Sequence, residues 1–241
     1  MGNIQTGEGN LNMSVIWLTP VNFQNERYYA VVEHEMGHNF GAMHSNLMDC
    51  GEENYIDDFS KCNSYEYRDH FDVMGSNIYN SEQGHINSMY KEEITWINSS
   101  NTIQISSDGV YTIKPFENLS DELALKVPRK IDEFGNAKDF YYVEHRTPTG
   151  QDFFINEEIG MGPQVRIYES IENGPGGSPS QHIAMTPKMY PRNASIRDGR
   201  EFFDPKPMSR SAESRVVSRA LWRTLLRVPP QDLPILLAVI R

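Results

Sequence analysis

The pattern of apolar and polar positions divides the chain into a helical front and a strand-rich middle. Residues 1–13 carry Gly2, Gly7 and Gly9 among asparagines and read as loop. Ser14-Val15-Ile16-Trp17-Leu18 is a short apolar run stopped by Thr19-Pro20, the pattern of a buried strand. Over 27–40, Tyr29, Val32, Met36 and Phe40 recur at helical spacing, which predicts a helix with that side toward a core. A second helix is predicted over 81–97. Ser81 can cap it, Glu82 suits its first turn, and Ile86, Met89, Tyr90, Ile94 and Ile97 trace one face. After Asn98 the period changes. Residues 102–106 and 110–115 alternate on either side of Asp108-Gly109, a hairpin signal. Residues 122–127, 140–146 and 164–170 are further strand candidates at wide spacing. The expected fold class is α+β: a helical half over 1–98, then a small β-sandwich-like domain over 99–204. An atypical Arg-rich tail occupies 205–241.

The first helix carries the chemistry. His34-Glu35-Met36-Gly37-His38-Asn39-Phe40-Gly41-Ala42-Met43-His44 reads H-E-x-x-H-x-x-G-x-x-H. Residues four apart lie on one face of an α-helix, about 6 Å along its axis, so His34 and His38 can grip one ion. Glu35 is placed to reach a water on that ion rather than the ion itself. A continuous helix would turn His44 away. Gly41 can take the positive φ that ends a helix and brings the chain back, making His44 a third ligand. Three imidazoles leave a fourth position open, as in catalytic rather than structural zinc sites. Thirty residues after His44, Asp72-Val73-Met74-Gly75-Ser76 matches the methionine turn of zinc peptidases with the long histidine motif; Met74 would be a soft apolar floor under the rings.

HEMGHNFGAMHS, the Cys50–Cys62 segment and EYRDHFDVMG together resemble the gametolysin-type branch of the metzincin metallopeptidases. The resemblance runs over roughly residues 14–200, less specifically through Tyr141-Tyr142-Val143-Glu144-His145-Arg146 and Val165-Arg166-Ile167-Tyr168-Glu169-Ser170. It implies His34, His38 and His44 as Zn2+ ligands, Glu35 as general base and Met74 as the turn methionine. It implies a protein or peptide substrate, a monomer, and secretion. The chain keeps histidine first, like the microbial relatives, where gametolysin itself has glutamine. Astacins and serralysins place a tyrosine two residues after the turn methionine; here Ser76 stands there. By spacing alone Cys50 and Cys62 are either a disulfide, contributing about 3 kcal/mol by chain entropy, or two free thiols. The resemblance favours the disulfide. It also implies an upper subdomain ahead of the helix, and only 33 residues precede His34. A fragment of a longer reading frame is therefore expected.

Charge narrows the partners. The formal net charge is −11, which argues against a nucleic-acid binder. No apolar run reaches the ~20 residues needed to cross a bilayer, and the first residues are polar, without the apolar segment of a secretory signal. Glu52, Glu53, Asp57 and Asp58 lack the ordered spacing of a calcium loop and read as a solvated face. His145 and His182 carry no ligand spacing. His70 precedes the methionine turn and could support a ligand or face the substrate, but is expected at the surface. Residues 205–241 hold seven basic and two acidic residues, net +5, against −16 for residues 1–204. Arg215, Arg219, Arg223 and Arg227 form an i, i+4 stripe. A frame change or cloning junction near Asp204 is expected to account for this tail.

Overall fold

The computed structural model describes residues 2–13, 15–16, 28–51, 61–76, 84–107, 109–117, 122–131, 134–156, 158–168, 178–190, 194–196, 202–204, 220–221 and 236–240. Its elements, in chain order, are β1 (Gly2–Thr6), β2 (Gly9–Met13), α1 (Tyr28–Phe40), β3 (Ser45–Asp49), β4 (Asn63–Tyr65), α2 (Ser88–Glu93), β5 (Thr102–Gln104), β6 (Gly109–Ile113), β7 (Ala124–Ile131), β8 (Ala137–Arg146), β9 (Gly162–Tyr168), β10 (Ser180–Ile183), β11 (Phe203–Asp204), β12 (Ala220–Leu221) and β13 (Leu236–Ile240).

One seven-stranded sheet organises the described residues, in the order β4-β3-β10-β9-β8-β7-β5. β4 and β3 lie before residue 98 in the chain and the other five strands after it. β3, directly after the histidine motif, pairs in parallel with β10, Ser45 against Ser180. The alternation of β8 and β9 explains how one sheet serves two purposes. Successive side chains point to opposite faces. Tyr141, Val143, Val165 and Ile167 join Leu125, Val127, Ile183 and Met185 in an apolar core on one face. Tyr142, Glu144, Arg146, Gln164, Arg166 and His182 alternate with them and are buried too. This second, charged face packs under α2 and the methionine segment.

Several expectations are corrected. Residues 2–13 form the β1–β2 hairpin rather than loop, with Thr6 paired to Gly9; residue 1 lies outside the described residues. Val15 and Ile16 are not in a strand, and the rest of that apolar run lies outside the described residues. The second helix begins at Ser88, not near 81. Asn87 is its N-cap and accepts from the Tyr90 N–H at 3.0 Å; Ser81 lies outside the described residues. Of the hairpin expected at Asp108-Gly109, Asp108 lies outside the described residues, and β5 and β6 do not pair with each other. β5 pairs in parallel with β7 and β6 pairs with β13, because alternation selects a face and not a partner. Ile105 and Ile113 still share the core. Part of the tail is thus joined to the body, through β11–β12 and β6–β13. The acidic residues 52–58 lie outside the described residues. No helix among the described residues is long and apolar enough to cross a membrane.

The apolar side of α1 is also corrected. Tyr29, Met36 and Phe40 are exposed, at 75%, 43% and 51%, and Phe40 meets the exposed Trp96 edge-on at 5.5 Å. Periodicity identifies an apolar side but not what covers it. The residue of α1 that is buried is Gly37.

Candidate metal centre

α1 ends as the spacing requires. Gly41 has φ +107°, its N–H donates to the His38 carbonyl at 3.0 Å, and the Ala42 N–H donates to the Gly37 carbonyl at 3.0 Å. This pair of bonds is a Schellman motif, which satisfies the last carbonyls of a helix and reverses the chain. The reversal does two things. It brings His44 back toward the helix, and it turns the Ala42 carbonyl onto the His38 ring.

His34, His38 and His44 come together. One ring nitrogen from each lies within 4.8 Å of the others, and their ring centroids are 4.8, 4.9 and 5.6 Å apart. Each Nδ1 is committed elsewhere. His34 Nδ1–H donates to the Val73 carbonyl at 2.8 Å and His38 Nδ1–H to the Ala42 carbonyl at 2.8 Å. His44 Nδ1 meets Glu66 Oε1 at 2.6 Å. A carbonyl can only accept, so the proton of those two rings sits on Nδ1 and the Nε2 lone pairs are free. Such outer hydrogen bonds fix tautomer and orientation at metal-binding histidines. Burial, reinforced by the neighbouring His38 and His44, lowers the His34 pKa against the pull of the Val73 carbonyl and of Glu35, which favours the neutral ring that ligation requires. The donor set suits a divalent ion with imidazole preference. Glu35 follows His34 on the same helix.

Met74 is fully buried beneath this cluster. A Cβ added at Gly37 would stand 2.1 Å from Met74 Sδ, so only a glycine lets the helix backbone rest on the thioether. The turn is clamped from both sides. Asp72 Oδ1 accepts from the Met74 N–H and Oδ2 from the Asn87 N–H, each at 2.7 Å. The Ser45 N–H donates to the Met74 carbonyl at 2.8 Å, and Tyr90 Oη donates to the His44 carbonyl at 2.9 Å. The turn and α2 thereby hold the backbone of the third ligand.

Below them lies the charged face of the sheet. Arg166 Nε donates to Asp69 Oδ2 at 2.9 Å, and its Nη1 to Glu144 Oε1. Arg146 donates to Glu144 and to Asp152 at 2.7 and 2.8 Å. Glu144 Oε2 accepts from the Ser88 N–H at 2.8 Å, and Asp69 Oδ1 lies 3.1 Å from His182 Nδ1. Burial opposes these charges, but Arg146 and then Arg166 hold the Glu144 carboxyl down at about 2. Arg166 and then His182 hold Asp69 well below the usual carboxylate range, also against burial. Burial, and next the Asp69 charge, push Asp72 up to about 6, against the pull of Arg166, the Met74 N–H and Arg146.

The predicted residues therefore fall into two groups. The three histidines, Gly41 and Met74 meet at one place. The disulfide Cys50–Cys62 is present and ties the end of β3 to the start of β4. His70 is buried rather than at the surface, bonded through Nδ1 to the Ser76 carbonyl and stacked on Tyr190 at 5.6 Å, apart from the metal cluster. His145 and His182 are likewise buried in the sheet. Gly37, Glu66, Asp72, Glu144 and Arg166 were not singled out from sequence. Gly37 alone left a signal, since a glycine inside a helix is unfavourable by about 1 kcal/mol relative to alanine unless packing demands it. Comparison with protein families, curated proteins and solved structures finds no match to this chain.

Proposed function

We propose that the chain is a secreted, monomeric zinc endopeptidase that hydrolyses peptide bonds in extracellular or matrix proteins. The observation that carries this reading is the convergence of three imidazoles with every Nδ1 already engaged, one residue from a carboxylate. His34, His38 and His44 would hold the ion through Nε2. When bound, zinc supplies an acidified water near neutral pH and Lewis-acid polarisation of the scissile carbonyl. Glu35 would be the general base, taking a proton from the attacking water and returning it to the leaving amine. Met74 and Gly37 keep the helix seated so that the rings stay aligned. The resemblance to metzincins supports zinc over other ions and a protein substrate over a small ester. The Cys50–Cys62 disulfide is in keeping with an oxidising compartment.

The test compares purified full chain with Glu35→Ala and His38→Ala on casein and gelatin, with zinc content measured on each. We expect about one zinc per chain in wild type and Glu35→Ala, and its loss in His38→Ala. Hydrolysis should fall about 10²–10⁴-fold in Glu35→Ala. Wild-type activity no greater than that of Glu35→Ala would refute the peptidase. A second reading, an ion held without turnover, is favoured by one observation: the exposed Tyr29, Met36 and Phe40 leave the outer side of α1 uncovered by described residues. One zinc per chain with no hydrolysis is its result.

A further inference from the structure

Among the three candidate ligands, His44 is held differently. His34 and His38 donate to backbone carbonyls, Val73 and Ala42, that are fixed by the methionine turn and the helix end. His44 is held by a side chain, the carboxylate of Glu66, from a segment 22 residues away. The next residue also acts on it. The Tyr67 ring centroid lies 3.8 Å from that of His44 at a 36° tilt, and 5.9 Å from that of His34. Consecutive side chains can both reach one ring because Tyr67 has φ +62°. That left-handed conformation is unfavourable for an aromatic residue by about 1–2 kcal/mol, so the surroundings must enforce it. They do: the Tyr67 N–H donates to Asn46 Oδ1 at 3.1 Å, and its carbonyl accepts from the Ser76 N–H at 2.6 Å. Asn46 lies on β3, two residues after His44, and Ser76 two residues after Met74. The strained residue is thus bolted to the two segments that flank the site.

We propose that Glu66 and Tyr67 form a clip that positions His44 as the third metal ligand, Glu66 by accepting the Nδ1 proton and Tyr67 by fixing the ring plane. The inference rests on the metal-centre reading above. As an ordinary surface ion pair the Glu66 contact would matter little, since Glu66 is 66% exposed. As the partner of a ligating imidazole it raises the basicity of Nε2 and removes rotational freedom from the ring. Outer partners of this kind change metal affinity about 10–100-fold. Both residues are positioning residues; neither touches the ion or a substrate.

The test uses the full chain stripped with a chelator and titrated with Zn2+ and, for its visible spectrum, Co2+. Variants are Glu66→Leu, Glu66→Gln and Tyr67→Leu. Glu66→Leu should weaken Zn2+ binding about 10–100-fold and alter the Co2+ absorption bands, with the unfolding midpoint of the ion-free protein unchanged. Glu66→Gln keeps an oxygen that can accept the Nδ1 proton and should recover most of the affinity, a rescue that a merely structural role would not give. Tyr67→Leu should weaken binding several-fold. If Glu66→Leu and Tyr67→Leu both bind Zn2+ within two-fold of wild type and keep the wild-type Co2+ bands, the clip is overturned and the metal centre stands. If wild type takes up no ion, the metal-centre reading falls and the clip with it.

Discussion

Gly37 is the residue at which local preference and tertiary packing disagree most sharply. Replacing a mid-helix glycine by alanine normally stabilises by about 1 kcal/mol. Here the added methyl would meet Met74 Sδ at 2.1 Å, and Met74 is enclosed by Ala42, Val73, Met89 and Tyr90. Overpacking a closed core is unfavourable by about 1–3 kcal/mol. Gly37→Ala should therefore lower stability in urea unfolding by about that amount. Met74→Ala alone destabilises by leaving a cavity, about 2–5 kcal/mol. The double variant should be clearly more stable than the sum of the two changes, because each relieves the other. A Gly37→Ala protein more stable than wild type would show that the thioether can move aside. Legibility at this scale was uneven. Gly41 could be read from the motif because a positive φ is a local need. Gly37 could not, because its need is a neighbour 37 residues away.

At the scale of elements, β4 shows how a three-residue strand can carry weight. It pairs with β3 through Leu47–Tyr65, Met48–Ser64 and Asp49–Asn63, and its side chains are exposed. So short an edge strand has little to hold it, and Glu66 and Tyr67 follow it directly. The Cys50–Cys62 disulfide closes the 12-residue span just beyond the pairing and ties β4 to β3. Removing such a link restores entropy to the unfolded chain, about 3 kcal/mol. The double variant Cys50→Ser/Cys62→Ser should accordingly lose stability by about 2–4 kcal/mol and bind Zn2+ several-fold more weakly. Calorimetric titration checks this, with reductant added to wild type as a parallel arm. Unchanged affinity in both arms would mean that β3 pairing alone holds the strand. The helix predicted over 81–97 contracts to α2 for a reason at the same scale. His85 and Asn87 spend their backbone N–H groups elsewhere: that of Asn87 goes to Asp72 in the methionine turn and that of His85 to Asp152, beyond β8, at 3.0 Å. A helix there would need those groups for itself.

Across the whole molecule, the buried charges tie the metal centre to the sheet, and acid should reveal them. Four histidines outside the metal cluster, His70, His85, His145 and His182, have pKa values lowered by burial, His85 and His145 to about 4. The unfolded chain takes their protons first, so their contribution is full above about 6.5 and is lost as pH falls toward about 4. Asp72 and Glu117 act in the opposite sense. Burial raises them to about 6 and about 7, so the folded state takes the proton first and gains stability over part of the same window. Below about 4 no such opposition remains. Glu144, held at about 2, and Asp69, held lower, contribute stability that is present above their unfolded values and is lost as pH falls through their folded ones. Glu144 alone represents about 3 kcal/mol at ~1.4 kcal/mol per pH unit. Ion-free protein unfolded in urea should thus show little change between pH 7 and 5 and a large loss by pH 3. A loss between pH 7 and 5 as large as that below 5 would mean that the carboxylates do not offset the histidines.

The histidine motif, the glycine that ends the helix and the methionine 30 residues on were legible because each depends on spacing along the chain. Spacing sets which side chains share a face and where a backbone can reverse. It does not say what lies opposite. Only the tertiary structure set β3 beside β10, turned the charged face of β8 and β9 under the methionine turn, left Tyr29, Met36 and Phe40 exposed among the described residues, and brought Glu66 and Tyr67 onto His44. Those outcomes depend on pairings between distant segments, and a partner is chosen by packing and by the satisfaction of buried polar groups, neither of which is written in the order of residues along one strand or helix.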